Sequence, residues 1–152
     1  AIVYDPNRDE CFTAWKDGGA HLNGRPIRCA PRAQLSDALL ATGFPHWDFD
    51  RMSDYLKALT AFARGSRGIR RMGSAAIDLA YVACGRFDLF FEYSLQPWDI
   101  AAGLLLVQEA GGITCDFSGG QDAEALLSGN ETFASAPGVK DEGLSVIVNA
   151  FG

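Results

Sequence analysis

The second half of the sequence alternates short apolar runs with segments of helical periodicity, and this alternation restricts the chain to a few architectures. The run Phe87–Glu92 is apolar at most positions, which is typical of a strand covered on both faces. Apolar residues recur at helical spacing before it, in a segment that begins after Ser74, and after it, from about Trp98 to Ala110. Strands that alternate with helices favour an α/β layered sheet.

The first thirty residues have the different pattern of an antiparallel meander. A turn rich in Asp, Pro and Asn at 5–9 and the hairpin dipeptide Asn23-Gly24 divide this stretch into short strands. The predicted strands are Ile2–Tyr4, Cys11–Trp15, Ala20–Leu22 and Arg25–Cys29. We therefore expect an antiparallel part over residues 1–30 and an α/β part over residues 35–152.

Further elements are predicted between and beyond these segments. We predict strands at Leu39–Thr42, Gly68–Met72, Ile113–Asp116 and Thr132–Ser135, and helices at Asp48–Arg64 and Val139–Ala150. Gln121–Gly129 is predicted as a loop with one helical turn.

Charge and hydropathy exclude several classes of protein. A net charge of −6 argues against a nucleic acid as substrate or partner, since such proteins carry a basic face. Mean hydropathy is +0.02, and the sequence has neither an apolar stretch long enough to span a membrane nor a signal peptide, so we expect no membrane association. The single basic cluster, Arg64, Arg67, Arg70 and Arg71, is either a solvated surface or an anion-attracting rim.

The cysteines indicate a reducing, cytoplasmic setting. No two of Cys11, Cys29, Cys84 and Cys115 form a CxxC pair, and His21 and His46 are not at zinc spacing with them. No pattern in the sequence proposes a catalytic Cys–His pair.

Three features between residues 73 and 112 are candidates for chemistry. Gly73–Ala76 sets free amides at a helix start, which is either an ordinary cap or a site for anions and hydroxyl oxygens. Glu92 ends the apolar strand, where its carboxylate faces either solvent or a site at the sheet's end. Asp99 opens the next helix behind Pro97, where it either compensates the helix dipole or binds Mg²⁺ as a hard oxygen ligand.

The ordered string Trp98–Gly103 followed by Glu109–Gly112 resembles the C-terminal signature of the inositol monophosphatase family. Gly73–Ala76 and Glu92 stand at that family's spacing from Asp99, and the opening hairpin also matches, so the resemblance covers essentially all 152 residues. It implies a layered α/β/α/β/α sandwich, of which this chain supplies the C-terminal part and a remnant of the antiparallel N-terminal sheet.

The resemblance also implies roles for particular residues. Asp99 is expected to bind a metal and to face the attacking water, and Glu92 to accept hydrogen bonds from substrate ring hydroxyls. The backbone amides of Gly73, Ser74 and Ala75 are expected to line the same pocket. The implied reaction is Mg²⁺-dependent hydrolysis of a sugar or polyol phosphate monoester, with inositol-1-phosphate as the expected substrate, metal-activated water as the nucleophile and a homodimer as the assembly.

Part of the family pattern is absent from the sequence. The Gly-Glu and Asp-Pro-Ile-Asp-Gly-Thr segments that carry most metal ligands of the family do not occur, and Asp5–Asp9 is only a look-alike. We therefore expect a piece of a longer protein that is inactive alone. The alternatives are a 3′(2′),5′-bisphosphate nucleotidase, a histidinol phosphatase, a fructose bisphosphatase, or a non-catalytic interaction protein on the same fold.

Overall fold

The computed structural model describes residues 1–31, 34–45 and 47–152, in which the chain forms nine strands and five α-helices. The strands are β1 (Ile2–Asp5), β2 (Glu10–Ala14), β3 (Ala20–Leu22), β4 (Arg25–Ile27), β5 (Leu39–Thr42), β6 (Gly68–Arg70), β7 (Leu89–Tyr93), β8 (Ile113–Cys115) and β9 (Glu131–Ser135). The helices are α1 (Met52–Gly65), α2 (Ala75–Ala83), α3 (Pro97–Glu109), α4 (Ala123–Leu127) and α5 (Lys140–Phe151). None of these helices is long and apolar enough to cross a membrane.

Strands β1 to β4 form an antiparallel meander in which each strand pairs with the next along the chain. The turn residue Asn23 adopts a positive φ of 49°, and its side-chain Oδ1 accepts the Cys11 backbone N–H at 2.8 Å. The hairpin predicted from Asn23-Gly24 is therefore confirmed. Strand β1 lies at the edge of this sheet, with Ile2 and Tyr4 exposed.

The remaining strands form a mixed sheet in the order β6-β5-β7-β9-β8. Strand β5 pairs in parallel with β6 and β7, whereas β9 runs antiparallel to both β7 and β8. Because β7 is paired on both sides and covered on both faces, all five of its residues are buried. This explains why the run is apolar at most positions and confirms the predicted α/β class.

The helices divide into two layers on opposite faces of the mixed sheet. Helices α2 and α3 lie between the two sheets, in one apolar cluster with Phe12 of β2 and Phe90 of β7. Helices α1 and α5 cover the other face, in a second cluster that includes Phe91 of β7. Successive side chains of a strand point to opposite faces, so Glu92 lies on the same face as Phe90, toward α2 and α3.

Helices α2 and α3 approach each other closely at Gly103. A Cβ at this position would lie 2.5 Å from the Cβ of Leu79 on α2, a distance that no packed side chain tolerates. At its far end, α3 is tied to the meander by Glu109, whose carboxylate accepts the backbone N–H groups of Asp17 at 2.8 Å and Gly19 at 2.9 Å. The close packing at Gly103 positions α3 against α2, and the hydrogen bonds of Glu109 position α3 against the meander.

Several predicted boundaries shift by a few residues. Helix α1 begins at Met52 and not at Asp48, because Asp48 belongs to the preceding loop, where its backbone carbonyl accepts the Tyr93 hydroxyl at 3.1 Å. Strands β4, β6 and β8 end earlier than predicted. Strand β7 runs to Tyr93, so Glu92 is a buried member of the sheet and not its solvated end. The segment Gln121–Gly129 contains the predicted helical turn as α4.

We predict that Gly103→Ala destabilises the protein by about 1–3 kcal/mol, because the added methyl group forces α2 and α3 apart. A matched control is Gly65→Ala at the end of α1, where an added Cβ meets nothing within 4 Å. That substitution should raise stability by about 0.5–1 kcal/mol, since alanine restricts the unfolded chain more than glycine does. Urea unfolding of both variants measures the two effects, and equal shifts would contradict the close packing at Gly103.

Candidate functional site

A cavity of about 420 Å³ lies where the carboxyl end of β7 meets the first turns of α2 and α3. The residues that line it come from three segments that are distant in sequence: Gly43, Phe44, Arg71, Gly73, Ser74, Ala75, Ala76, Asp78, Glu92, Leu95, Gln96, Trp98 and Asp99. The position agrees with the tendency of open α/β sheets to bind ligands beyond the carboxyl ends of their strands.

The five residues predicted from the sequence as site residues all line this one cavity. They are Gly73, Ser74, Ala75, Glu92 and Asp99. The fold therefore brings together the features that the sequence separates by up to 26 positions. Their chemical roles remain predictions.

The start of α2 presents its free amides to the cavity. Gly73 has a φ of +95°, a conformation that side chains rarely adopt, and it turns the chain out of β6 into the helix. Ser74 is the N-cap residue, with its hydroxyl accepting the Ile77 N–H at 3.4 Å. The amides of the first turn have no partner within the helix, and the positive end of the helix dipole lies here.

Asp99 lies in the first turn of α3, where one of its carboxylate oxygens has a structural role. Oδ2 accepts the backbone N–H of Gln96, the N-cap residue, at 3.0 Å. Asp99 therefore caps the helix, which agrees with the first of its two predicted roles, a stabilising residue of the helix start. Capping uses one oxygen and leaves the other for a ligand in the cavity, so the two interpretations are compatible.

Glu92 projects from the buried end of β7 into space that a glycine leaves open. An added Cβ at Gly43 would lie 2.1 Å from Glu92 Oε1 and 2.3 Å from Oε2, so the glycine makes room for the carboxylate. Only 7% of Glu92 is exposed, and the same burial raises its pKa to about 8. The charges of Asp78 and Asp99 raise this pKa further, while Arg71 opposes them.

A second acid, Asp78, lies one helical turn inside α2. It is 1% exposed, and burial raises its pKa to about 7, against the opposing influence of Arg71. The cavity thus holds three carboxyl groups and one arginine. Because burial raises the pKa of Asp78 to about 7 and that of Glu92 to about 8, both groups hold a proton readily near neutral pH, and a bound cation would favour their ionised forms.

The donor chemistry of Asp99 suits a hard divalent cation such as Mg²⁺, because carboxylate oxygens are its preferred protein ligands. Asp99 supplies one such ligand group. Within residues 1–31, 34–45 and 47–152, no group of three or more Asp, Glu, His or Cys side chains is arranged to hold a metal ion. Of the two histidines rejected as zinc ligands, His46 lies outside the described residues.

Comparison with known proteins identifies the family. The model of the inositol monophosphatase family matches residues 1–150. The chain belongs to the inositol monophosphatase family. It is 49% identical over 139 residues to an inositol-1-monophosphatase of Rhizobium meliloti (strain 1021), covering 90% of this chain and 52% of that protein. It is 51% identical over 124 residues to the Nus factor SuhB of Pseudomonas aeruginosa, covering 80% of this chain and 46% of that protein.

A solved structure agrees with these sequence relatives. The extragenic suppressor protein suhB of Bartonella henselae superposes with a TM-score of 0.89 at 40% identity, over 96% of this chain and 55% of that one. The family fold predicted from the sequence is therefore confirmed. The chain spans about half the length of the curated relatives it matches.

Sequence reasoning missed several residues of this inositol monophosphatase-family site. Asp78 stands four positions after Ser74, a spacing that places it on the same helix face, and this signal was available. Arg71 was considered only as one of four arginines in a surface cluster, yet it alone of the four lines the cavity. Gly43 carried no sequence signal, because its role depends on the approach of Glu92 in the fold.

The raised pKa of Glu92 predicts how stability depends on pH. Its folded-state pKa of about 8 lies above the ordinary value of 4.5, so the stability it contributes is complete below pH 4.5 and is lost as the pH rises toward 8. In metal-free buffer, the free energy of unfolding should fall with a slope of up to about 1.4 kcal/mol per pH unit from this group. Glu92→Gln should flatten that slope.

The control for this measurement is Glu10→Gln. The Arg86 guanidinium lowers the pKa of Glu10, which is therefore ionised in both states above about pH 5. Its substitution should displace the stability curve without changing its slope between pH 5 and 8. Urea unfolding at intervals of half a pH unit gives both curves. An unchanged slope in Glu92→Gln would contradict the buried position of this carboxyl.

Proposed function

We propose that the complete protein hydrolyses a phosphate monoester of a sugar or polyol, with inositol-1-phosphate as its substrate. The observation that carries this proposal is the convergence of Asp99, Glu92 and the α2 N-terminus on one cavity. The family assignment and the similarity to an inositol-1-monophosphatase support it. The chemistry of the cavity fits, because it combines acceptors for hydroxyl groups with a hard oxygen ligand.

Each residue has a distinct task in this proposal. Glu92 accepts a hydrogen bond from a ring hydroxyl and so fixes the orientation of the substrate. The amides of Gly73, Ser74 and Ala75 donate to oxygen atoms of the same ring. Asp99 binds a metal ion through one carboxylate oxygen at the N-terminus of α3, while its Oδ2 accepts the backbone N–H of Gln96. The substrate therefore lies between the strand end and the two helix starts.

A divalent cation, which we propose to be Mg²⁺, would supply Lewis-acid stabilisation of phosphate charge and would lower the pKa of a nearby water. Asp99 orients its carboxylate for such an ion before substrate arrives, because the capping hydrogen bond limits its rotation. The carboxyl groups of the cavity attract the ion when they are ionised, and the positive charge of Arg71 at the rim opposes that attraction.

We predict that Asp99→Asn in the complete protein abolishes phosphate release at ordinary Mg²⁺ concentrations with little loss of folding. The amide of asparagine keeps an oxygen that can accept the Gln96 N–H, but it lacks the charge that binds the cation. Release of inorganic phosphate from inositol-1-phosphate measures the first effect, and thermal unfolding measures the second. Near-normal turnover of this variant would refute the role of Asp99.

We also propose that the 152-residue chain alone does not turn over substrate. The single carboxylate of Asp99 does not hold a hydrated Mg²⁺ ion in place, because the ion needs several ligands. Phosphate release by the purified chain, freed of any longer protein, would show that the described residues suffice.

A non-catalytic interaction protein is the second candidate. Two observations favour it: relatives bear the name Nus factor SuhB, and the loop after β5 exposes the aromatic side chains of Phe44, Trp47 and Phe49. The Asp99→Asn protein separates the candidates. If this variant lacks phosphatase activity and cells that carry it behave like cells without the gene, the enzyme is supported. If those cells behave like wild-type cells, the interaction protein is supported.

Two further proposals concern the setting of the protein. We infer a cytoplasmic location because Cys11, Cys29, Cys84 and Cys115 are free thiols. We infer self-association, as a homodimer, from the family assignment, and the exposed apolar side chains of Ile2 and Trp98 are consistent with it. Size-exclusion chromatography with light scattering measures the assembly directly.

A further inference from the structure

Asp78 is a buried acid that neither the family signature nor the proposed reaction uses. It is 1% exposed, lines the cavity, and its Oδ1 has no hydrogen-bond partner in the described part of the chain. Leaving such a buried acceptor unpaired is unfavourable for folding, and more so where the group is charged. A ligand that enters the cavity and donates to this oxygen would remove that cost.

The position of Asp78 in α2 directs its side chain toward the cavity. Side chains of a helix tilt toward its N-terminus and lie over residues three or four positions earlier. Asp78 is the fourth residue after the N-cap Ser74, so its side chain extends toward the first turn of the helix. The cavity is thus lined both by the free amides of the α2 N-terminus and by the carboxyl group of Asp78.

Glu92 provides the second carboxyl group of the same cavity. The two groups are near enough for the charge of Asp78 to raise the pKa of Glu92. Arg71 also lines the cavity and lowers the pKa of both, but it lies at the exposed rim and does not satisfy Asp78 Oδ1. Two neighbouring carboxyl groups suit a ligand with two neighbouring hydroxyls, because a hydroxyl can donate to a carboxylate or accept from a carboxylic acid.

We propose that Asp78 is a substrate-binding residue that accepts a second hydroxyl of the substrate, adjacent to the hydroxyl accepted by Glu92. This inference rests on the proposed function and adds a substrate-binding residue to it. The substrate is then a phosphate ester of a polyol with vicinal hydroxyls, and monoesters that lack such hydroxyls bind less tightly. Asp78 contributes to substrate recognition through the hydroxyl group that it binds.

The test compares two substrates in the complete protein and its variants. Inositol-1-phosphate has vicinal hydroxyls, whereas p-nitrophenyl phosphate has none. Asp78→Ala and the near-isosteric Asp78→Leu, neither of which keeps a side-chain acceptor, should lower kcat/KM for inositol-1-phosphate about tenfold more than for p-nitrophenyl phosphate, mainly through KM. The second variant preserves the shape of the side chain if the first folds poorly.

Stability separates a binding role from a structural one. Removing an unpaired buried carboxyl should leave the thermal midpoint unchanged or raise it, as is common where a binding site is kept at the expense of stability. The matched control is Asp88→Leu, at another buried aspartate with 2% exposure, because the Oδ2 of Asp88 accepts the Leu39 N–H at 2.7 Å and leucine cannot. That variant should lower the midpoint and change kcat/KM for both substrates by the same factor.

The outcomes distinguish this inference from the proposed function. If the wild-type protein hydrolyses inositol-1-phosphate and the Asp78 variants lose activity equally on both substrates, or on neither, the role of Asp78 is overturned while the function stands. A lowered thermal midpoint in Asp78→Leu, with equal losses of activity on both substrates, marks the residue as structural. A wild-type protein that hydrolyses no polyol phosphate overturns both.

Discussion

The site depends on how closely α2 and α3 pack against each other between the two sheets. Gly103 allows this contact, because any side chain there would overlap Leu79. The contact sets the first turns of both helices beside the carboxyl end of β7, where Glu92 lies. Glu109 stabilises the same arrangement from the opposite end of α3, through its hydrogen bonds to the backbone that connects β2 and β3 in the meander. The signature residues Gly103 and Glu109 therefore support the site without lining it.

The second physical theme is the concentration of acidic groups that this packing creates. Asp78 and Glu92 are withdrawn from solvent, so burial raises the pKa of each, and the charges of Asp78 and Asp99 raise the pKa of Glu92 further. Burying acids in this way is unfavourable for folding and recurs where a protein binds cations or hydroxyl groups. In the proposed function, a cation beside Asp99 and the hydroxyls of a polyol together compensate these groups.

Most of the fold was predictable from the sequence, because strand and helix periodicity and the turn dipeptides are local signals. Such signals predict the hairpin at Asn23-Gly24 and the helix behind Pro97. The helical spacing predicts a start of α1 at Asp48, whereas the helix begins at Met52, because the contact of Asp48 with Tyr93 is a tertiary one that local spacing does not show. The five predicted site residues meet in one cavity, whereas Gly43 and Arg71 acquire their positions only through the folded chain.

The most direct test of the account is a crystal structure of the complete protein with Mn²⁺ and inositol, recorded with anomalous scattering from the metal. The account predicts an anomalous peak about 2.0–2.4 Å from the Asp99 carboxylate, which is a bonding distance for such ions. It also predicts a ring hydroxyl within hydrogen-bonding distance of Glu92. An Asp99 side chain directed into solvent, with the metal and the polyol bound elsewhere, would contradict it.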